Sequence, residues 1–282
     1  MHRYAVADVF TETPLEGNQL AVFLDAQGLD TELMQRTARE LHLSETTFVL
    51  PPEADGADTR IRIFTPGSEL PFAGHPVLGS AVVLGSERPD ADLIRLETGA
   101  GIIPVTLTRD AEGQITFGEM DQPVPRVAPY EHSAELLAAL GVERSELPVE
   151  TYRNGPKHVY VVLANAAGVA ALRPNLGALS ALGPMGVNVC AVAGGYVKTR
   201  NFSPGLAVPE DPATGSAAGP LAVHLARHGR IGFGEQIEIR QGEEIARPSV
   251  LFARADGSAH DITRVRVGGS AVIVARGEYR LR

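Results

Sequence analysis

The stretch ELPFAGHPVLGSAVVL at residues 69–84 decides the fold, because the chain repeats it as EDPATGSAAGPLAVHL at residues 210–225. Just upstream, RIFTPG (62–67) is echoed by RNFSPG (200–205). At a constant offset the two copies share Glu69/Glu210, Pro71/Pro212, Gly74/Gly215, Ala81/Ala222, Val82/Val223 and Leu84/Leu225. A repeat this long is not a solenoid period, so the pattern predicts a duplicated domain whose two copies contain the same turn and helix.

Composition sets the class of protein. The chain has 282 residues, of which 44% are hydrophobic and 21% are charged, and its formal net charge is −9. This balance is typical of a soluble globular protein and argues against nucleic acid or an anionic membrane as partner. The single Cys190 excludes an intramolecular disulfide framework and suits a reducing compartment, so we predict a cytoplasmic location. The first ten residues, MHRYAVADVF, have a strand pattern with charges inside it, which is not typical of a signal peptide.

Short runs rich in β-branched residues dominate the chain, and helices are fewer. The clearest helix spans 30–42 with Asp30 as N-cap, and a second spans 133–141 with Ser133 as cap and Gly141 as stop. The repeated motifs add two more helices, predicted from Pro76 to about Leu84 with Gly85 as stop and from Ser216 to about Arg227 with Gly229 as stop. We predict two domains of similar build, 1–122 with 271–282 and 123–270, each a sheet around one central helix.

Each repeated motif places a flexible turn directly before a helix. The first N–H groups of a helix lack internal partners and carry partial positive charge, so a carboxylate is their natural ligand. Gly74 and Gly215 would let the backbone approach that ligand closely. If the domains face each other about a pseudo-twofold axis, both helix ends point into one cleft. The alternative is that both turns are ordinary turn chemistry, kept twice because the domain was duplicated.

Four side chains are candidates for chemistry. His75, at a helix start, is expected to be neutral, and Glu45, between a helix and a strand, is expected to have a raised pKa if its surroundings are apolar. Asp211 and Ser216 lie at the second turn. Taken singly, each also fits a local capping, packing or solvated role. The sequence shows no clustered His, Cys or Asp set with metal-ligand spacing, no phosphate-binding loop and no GxSxG elbow.

Seven stretches in order resemble the PhzF family of phenazine-biosynthesis isomerases and cover almost the whole chain. They are PLEGNQLAVFLDA (14–26), MQRTARELHLSETTFVL (34–50), RIRIFTPGSELPFAGHPVLGSA (60–81), MDQPVP (120–125), NGPKHVYV (154–161), PEDPATGSAAGPLAVHLARHG (209–229) and RPSVLFARADG (247–257). The resemblance implies an α+β fold of the diaminopimelate-epimerase type, with two pseudo-symmetric domains, each a strongly curved, mostly antiparallel sheet around a central helix. It also implies a homodimer that uses no cofactor and no metal.

The activity implied by the resemblance is the isomerisation of trans-2,3-dihydro-3-hydroxyanthranilate to a ketone precursor of phenazines. The alternative is the same fold acting on another small amino or hydroxy acid. By the resemblance, Glu45 matches the proton-shuttling acid/base, and His75 and Asp211 match the paired cleft residues. Ser44, Gly74, Gly215 and Ser216 match the groups that hold the substrate. Related two-base racemases have a Cys in each Gly turn, and the absence of such cysteines here argues against a two-thiolate racemase.

Overall fold

The computed structural model describes residues 1–281, and the chain divides into two compact units. The first unit is Met1–Asp121 with Gly268–Arg282, and the second is Gln122–Val267. None of the helices within the described residues combines the length and the apolar character needed to cross a lipid bilayer.

The first unit contains two helices and most of its strands are antiparallel. Its helices are α1 (Thr31–Leu41) and α2 (Gly74–Ser86). Its strands are β1 (His2–Val9), β2 (Asn18–Phe23), β3 (Glu45–Leu50), β4 (Thr59–Phe64), β5 (Glu69–Leu70), β6 (Leu93–Thr98), β7 (Gly101–Arg109), β8 (Ile115–Gln122) and, at the end of the chain, β18 (Ala271–Tyr279).

The second unit repeats this order with additional helices. Its helices are α3 (Ser133–Leu140), α4 (Ala166–Ala170), α5 (Leu176–Ala181) and α6 (Gly215–Arg227), with short 3₁₀ turns at Pro204–Leu206 and Glu243–Ile245. Its strands are β9 (Arg126–Pro129), β10 (Glu150–Arg153), β11 (Lys157–Val162), β12 (Gly186–Ala193), β13 (Tyr196–Ser203), β14 (Val208–Asp211), β15 (Gln236–Gln241), β16 (Ser249–Gly257) and β17 (Ile262–Gly269).

The strand pairing of the first unit is reproduced in the second. In the first, β2 pairs with β3 and β4 with β6 in parallel, whereas β1–β2, β3–β4, β4–β5 and β6–β7 are antiparallel. In the second, β11–β12 and β13–β15 are parallel, whereas β10–β11, β12–β13, β13–β14 and β15–β16 are antiparallel. Each unit therefore has the same mixed but mostly antiparallel topology, which agrees with the predicted α+β class.

Helix α2 lies at the centre of its unit because almost all of its residues are apolar. Every residue from Gly74 to Gly85 is buried, and the helix contacts β1, β2, β3, β6, β7 and β18. A helix that is hydrophobic on all sides must be covered on all sides, so the sheet curls around it. Helix α6 is likewise buried from Gly215 to Ala226, and the outer helix α1 packs with Met34 and Ala38 against Phe23, Phe48 and Phe64.

The repeated sequence also encodes a structural clamp. In the first unit Nε and Nη2 of Arg62 donate to both carboxylate oxygens of Glu69 at 2.7 Å. In the second unit Nε and Nη2 of Arg200 donate to both oxygens of Glu210 at 2.8 Å. Each pair fastens the short strand before the central helix to its neighbouring strand through a bidentate, charge-assisted contact. Part of the sequence repeat is therefore explained by a structural ion pair rather than by function.

Helix boundaries were predicted with mixed success. Asp30 caps α1 as predicted and accepts from the N–H of Leu33 at 2.8 Å, and Gly141 ends α3 in the left-handed region at φ 72°. The prediction of Ser133 as a cap is wrong, because it is the first helical residue and its Oγ donates to the carbonyl of Tyr130.

The predicted limits of α2 are also wrong. The helix begins at Gly74, so Pro76 is its third residue, and it continues past Gly85 to Ser86. Gly85 serves packing rather than termination, because a Cβ at this position would lie 2.4 Å from Cδ1 of Leu107.

Candidate active site

Glu45 is the first residue of β3 and lies shortly after the C-terminal end of α1. His42 closes that helix in the left-handed region at φ 54°, and the half-buried Ser44 lies in the turn before the strand. The Glu45 side chain is 14% exposed. The following residues Thr46 and Thr47 are fully buried. The carboxylate is therefore mostly shielded by protein but still within reach of a ligand.

His75 lies beside Glu45 as the second residue of α2. Its Nε2 is 3.5 Å from Oε2 of Glu45, and its Nδ1 is 3.2 Å from Nδ2 of Asn18 at the start of β2. Burial lowers the pKa of His75 to about 3, against a hydrogen bond to the backbone of Gln19 that raises it. The imidazole is therefore neutral near pH 7, and its contact with Glu45 is not an ion pair. The expectation of a neutral His75 agrees in direction, although desolvation rather than the helix dipole is the main cause.

The start of α2 has no side-chain cap. Its N-cap residue, Ala73, provides no side-chain hydrogen bond, and Pro76 has no N–H. The amides of Gly74 and His75 thus lie at the positive end of a buried helix without a capping side chain. This end of the first unit combines a carboxylate, a neutral imidazole and helix amides.

In the second unit Asp211 is the last residue of β14 and is 9% exposed. Its Oδ2 accepts from Oγ1 of Thr214 at 2.7 Å. Nε2 of Gln241 donates both to the backbone carbonyl of Asp211 at 2.7 Å and to Oγ1 of Thr214 at 3.0 Å. These contacts fix the turn between β14 and α6, so the carboxylate is held at the start of the helix.

Ser216 is the second residue of α6, and its surroundings follow from a proline inside that helix. Pro220 has no N–H to donate to the carbonyl of Ser216, and Nδ2 of Asn154 donates to that carbonyl instead at 2.9 Å. The hydroxyl of Tyr160 donates to the carbonyl of Ala217 at 2.7 Å. The first turn of α6 is thus stabilised by side chains from outside the helix.

The predicted site residues group by unit. Glu45 and His75 are brought together, with Gly74 at the same helix end. Gly215 and Ser216 begin α6, and Asp211 is joined to the N-cap of that helix through Thr214. The prediction that both helix ends share one cleft stays a prediction.

Sequence reasoning missed several polar residues around these groups, and all of them except Thr214 come from distant parts of the chain. They are Asn18, Gln122, Asn154, His158, Asn188, Thr214 and Gln241, of which only Thr214 lies inside a motif that was singled out for its turn.

The surroundings of Cys190 do not suit a nucleophile. It is fully buried on β12, and burial raises the pKa of its thiol to about 12. Because the thiolate is the reactive form, a thiol held neutral in this way is chemically inert.

A second polar cluster lies near the far end of α6. Glu150, His224 and His228 bring one ligand atom each within 4.8 Å of one another, so the expectation that no such set exists is wrong. His224 and His228 are four residues apart on one helix face, a spacing that sequence reasoning overlooked. However, Oε2 of Glu150 already accepts from Nη1 of Arg227 at 3.0 Å and from the Tyr152 hydroxyl at 2.9 Å. The guanidinium supplies the positive charge that a metal ion would supply, so the cluster fits a structural role.

Comparison with known proteins places the chain in a family. The model of the PhzC-PhzF family, phenazine biosynthesis-like proteins, matches residues 7–277. The trans-2,3-dihydro-3-hydroxyanthranilate isomerase of Pseudomonas aeruginosa is 52% identical over 281 residues, which cover 100% of both chains.

Solved structures agree with the fold. A PhzF-family phenazine biosynthesis protein from Bacillus anthracis superposes with a TM-score of 0.84 at 27% identity, over 99% of each chain. A hydroxyproline epimerase from Agrobacterium vitis has a TM-score of 0.67 at 12% identity, over 98% of this chain and 91% of its own. The second similarity shows the fold alone, and it confirms the predicted epimerase-like α+β class.

Proposed function

The chain belongs to the PhzC-PhzF family, and from this premise we propose that it is an isomerase that converts trans-2,3-dihydro-3-hydroxyanthranilate into a ketone precursor of phenazines. The observation that carries the proposal is the 52% identity, over the whole chain, with the pseudomonad enzyme of that name. The arrangement of Glu45 and His75 supports it, because a shielded carboxylate beside a neutral imidazole suits proton transfer. The proposal includes no cofactor and no metal.

We assign the proton transfer to Glu45. As a carboxylate it removes the proton from the ring carbon that bears the hydroxyl, and the C–H electron pair spreads through the conjugated system to the carbon that bears the carboxylate. Glu45 then returns the same proton to that second carbon. Tautomerisation of the resulting enol moves its hydroxyl proton to carbon and gives the ketone, so the reaction is an isomerisation with no net gain or loss of atoms.

His75 and Asp211 are proposed to hold the amino and hydroxyl groups of the substrate. His75 suits this role because a neutral imidazole both donates and accepts hydrogen bonds. Its ring is fixed by burial and by Asn18. Asp211 suits it because Thr214 and Gln241 hold the turn that presents its carboxylate.

The remaining predicted residues are proposed to contact the rest of the substrate. Gly74 and Gly215 each begin a central helix, so their amides are suited to a carboxylate group. Ser216 follows Gly215 and adds a hydroxyl, and Ser44 adds another next to Glu45.

The test is to incubate the protein with trans-2,3-dihydro-3-hydroxyanthranilate in deuterium oxide and to follow product by absorbance and mass spectrometry. We expect turnover, and deuterium in the product reports exchange of the acid proton with solvent. Glu45→Gln removes the base but keeps the shape of the side chain, and should reduce kcat by about 10²–10⁴-fold.

The matched control is Glu40→Gln, at an exposed position on α1 close in sequence to Glu45, which should leave kcat unchanged. Near-normal turnover by Glu45→Gln would remove Glu45 from the mechanism. If the wild-type protein binds the substrate without converting it, the chain is a binding protein. If it neither binds nor converts it, the substrate is another small amino or hydroxy acid.

Two further parts of the proposal concern the state of the protein in the cell. The family resemblance supports a homodimer, which light scattering coupled to size-exclusion chromatography would measure directly.

The single buried Cys190 supports action in a reducing compartment such as the cytoplasm, which fractionation of cells making the protein would test.

A further inference from the structure

A chain of buried polar side chains runs behind Ser216 in the second unit. Nε2 of His158 is 3.1 Å from Oγ of Ser216, and Nδ1 of the same ring is 3.4 Å from Nδ2 of Asn188. Oδ1 of Asn188 accepts from Nδ2 of Asn201 at 2.7 Å, and Oδ1 of Asn201 accepts from the hydroxyl of Ser203 at 2.7 Å. All five residues are less than 7% exposed, so solvent does not compete for these contacts.

The contacts of Asn188 set which groups donate and which accept in this series of hydrogen bonds. Its Nδ2 also faces the backbone carbonyls of Gly186 at 3.2 Å and Val159 at 3.5 Å. Carbonyl oxygens only accept hydrogen bonds, and Oδ1 on the other side receives the amide of Asn201. The NH₂ group of Asn188 therefore points toward the carbonyls, and Nδ1 of His158 lies on that same side, 3.4 Å from Nδ2.

The orientation of Asn188 fixes the tautomer of His158. A proton on Nδ1 would face the NH₂ group donor against donor, so Nδ1 is the unprotonated nitrogen. Burial lowers the pKa of His158 to about 3, so the ring is neutral near pH 7 and carries its one proton on Nε2. That proton is donated to Oγ of Ser216.

Consequently the hydroxyl of Ser216 accepts from inside the protein and keeps its own proton for a ligand. Within residues 1–281, Nε2 of His158 is the only hydrogen-bond partner of this Oγ. Close packing supports the arrangement, because a Cβ at Gly186 would lie 2.6 Å from Nδ1 of His158 and 3.0 Å from Nδ2 of Asn201. Only glycine leaves room for both side chains.

We propose that His158 is a positioning residue that, oriented by Asn188, holds the hydroxyl of Ser216 as a hydrogen-bond donor to the carboxylate of the substrate. This inference rests on the proposed function for the identity of the ligand. It does not rest on it for the direction of the hydrogen bonds, which follows from the second unit alone.

The first experiment measures the tautomer. In protein labelled with ¹⁵N-histidine, the His158 signals are assigned by their loss in His158→Gln. We expect Nε2 with the shift of a protonated ring nitrogen and Nδ1 with the shift of an unprotonated one. The reverse assignment in the wild-type protein would overturn the proposal without the need for any further variant.

The second experiment reverses the direction of the hydrogen bonds that link Asn188, His158 and Ser216. Asn188→Asp replaces the NH₂ group with an acceptor, so His158 should move its proton to Nδ1 and its Nε2 should then accept the hydroxyl proton of Ser216. Calorimetric titration with 3-hydroxyanthranilate, an aromatic analogue of the substrate, should show binding that is about 10- to 100-fold weaker, the expected loss for a hydrogen bond to a charged group. Ser216→Ala should weaken binding to a similar extent.

A double-mutant cycle separates positioning from general damage. In the Ser216→Ala background, Asn188→Asp should have little further effect on affinity, because the donor is already absent. The matched control is Asn154→Asp, another buried amide that contacts the backbone carbonyl of Ser216 rather than its hydroxyl. It should leave the His158 tautomer unchanged and its effect should add to that of Ser216→Ala.

Additive effects of Asn188→Asp and Ser216→Ala would contradict the proposal. If the wild-type protein does not bind 3-hydroxyanthranilate, the proposed function is at fault, and the tautomer of His158 still decides whether Ser216 is oriented as a donor.

Discussion

Removing the charge of Glu150 should destabilise the second unit strongly, although this residue lies outside the proposed site. Its Oε2 accepts from the Tyr152 hydroxyl, Nη1 of Arg227, Nε2 of His228 and Nδ1 of His224 at 2.9–3.2 Å. Its side chain is 14% exposed. Glu150→Gln keeps the volume but removes the charge and replaces one acceptor with a donor, so some of these four donors lose their partner.

The magnitude follows from burial. Breaking a fully buried charge pair costs about 3–5 kcal/mol, and the partial exposure of Arg227, at 24%, reduces this through solvent screening. We therefore expect a loss of about 2–3 kcal/mol in the free energy of unfolding. For a protein of this size each kcal/mol shifts Tm by about 2–4 °C, so Tm should fall by roughly 4–12 °C in differential scanning calorimetry at pH 7.

The same contacts predict how this difference depends on pH. Burial raises the pKa of Glu150, but the hydrogen bonds from His224, His228 and Tyr152 and the charge of Arg227 outweigh it and hold the pKa well below its usual range. Because the folded-state pKa is depressed, the stabilisation is fully present above the unfolded value of about 4.3 and is lost as pH falls below it. The Tm gap between wild type and variant should therefore be constant from pH 7 to about 5 and shrink in more acidic solution.

Glu146→Gln provides the control, since Glu146 lies four residues earlier and forms an ion pair with Arg144, whose side chain is 81% exposed. An exposed pair of this kind is worth about 0–1 kcal/mol, so its loss should shift Tm very little. The reasoning would be refuted if Glu150→Gln changed Tm no more than this control, or if the Tm gap widened below pH 4.

The two clamps of the repeat should differ in strength. Arg200→Lys should cost about 2–4 kcal/mol in urea unfolding, because the Arg200 side chain is 6% exposed and also donates to three backbone carbonyls. Arg62→Lys, at a more exposed clamp, should cost less than about 1 kcal/mol, and equal losses would show that burial does not set the difference. Cys190→Ala should retain kcat, and the wild-type thiol should react with a disulfide reagent only on unfolding; a loss of kcat in a folded variant would restore a role for the thiol.

Local signals in the sequence predicted local structure well. Asp30 and Gly141 work through contacts within four residues, and the apolar run after Gly74 identified a buried helix before any partner was known. Predictions failed where a distant contact decided the outcome. Gly85 looks like a helix stop, but glycine is required there because Leu107 on β7 leaves no room for a Cβ.

The polar residues around the site could not be predicted from the sequence for the same reason. Asn18 is 57 residues from His75, and His158 is 58 residues from Ser216. No spacing rule joins residues so far apart, whereas the family resemblance predicts Glu45, His75, Asp211 and Ser216 as site residues because it compares whole motifs. Their roles remain predictions until the variants are measured.

The two copies of the repeat differ in one informative respect. In the first unit the second residue of the central helix, His75, contacts Asn18 on β2. In the second unit the second residue of α6, Ser216, contacts His158 on β11, the strand that corresponds to β2. Both copies thus keep a buried pair between helix start and strand, but the imidazole belongs to the helix in one and to the strand in the other.

This exchange places different chemical groups at the starts of the two central helices. An imidazole on the helix faces Glu45 directly, where it can contact a reacting group. An imidazole on the strand lies behind Ser216 and can act only through that hydroxyl. The duplicated clamp, with its arginine and glutamate unchanged, is present at the helix start in both units. The different residues at the buried pair agree with the roles we propose, in which the first unit transfers the proton and the second holds the ligand.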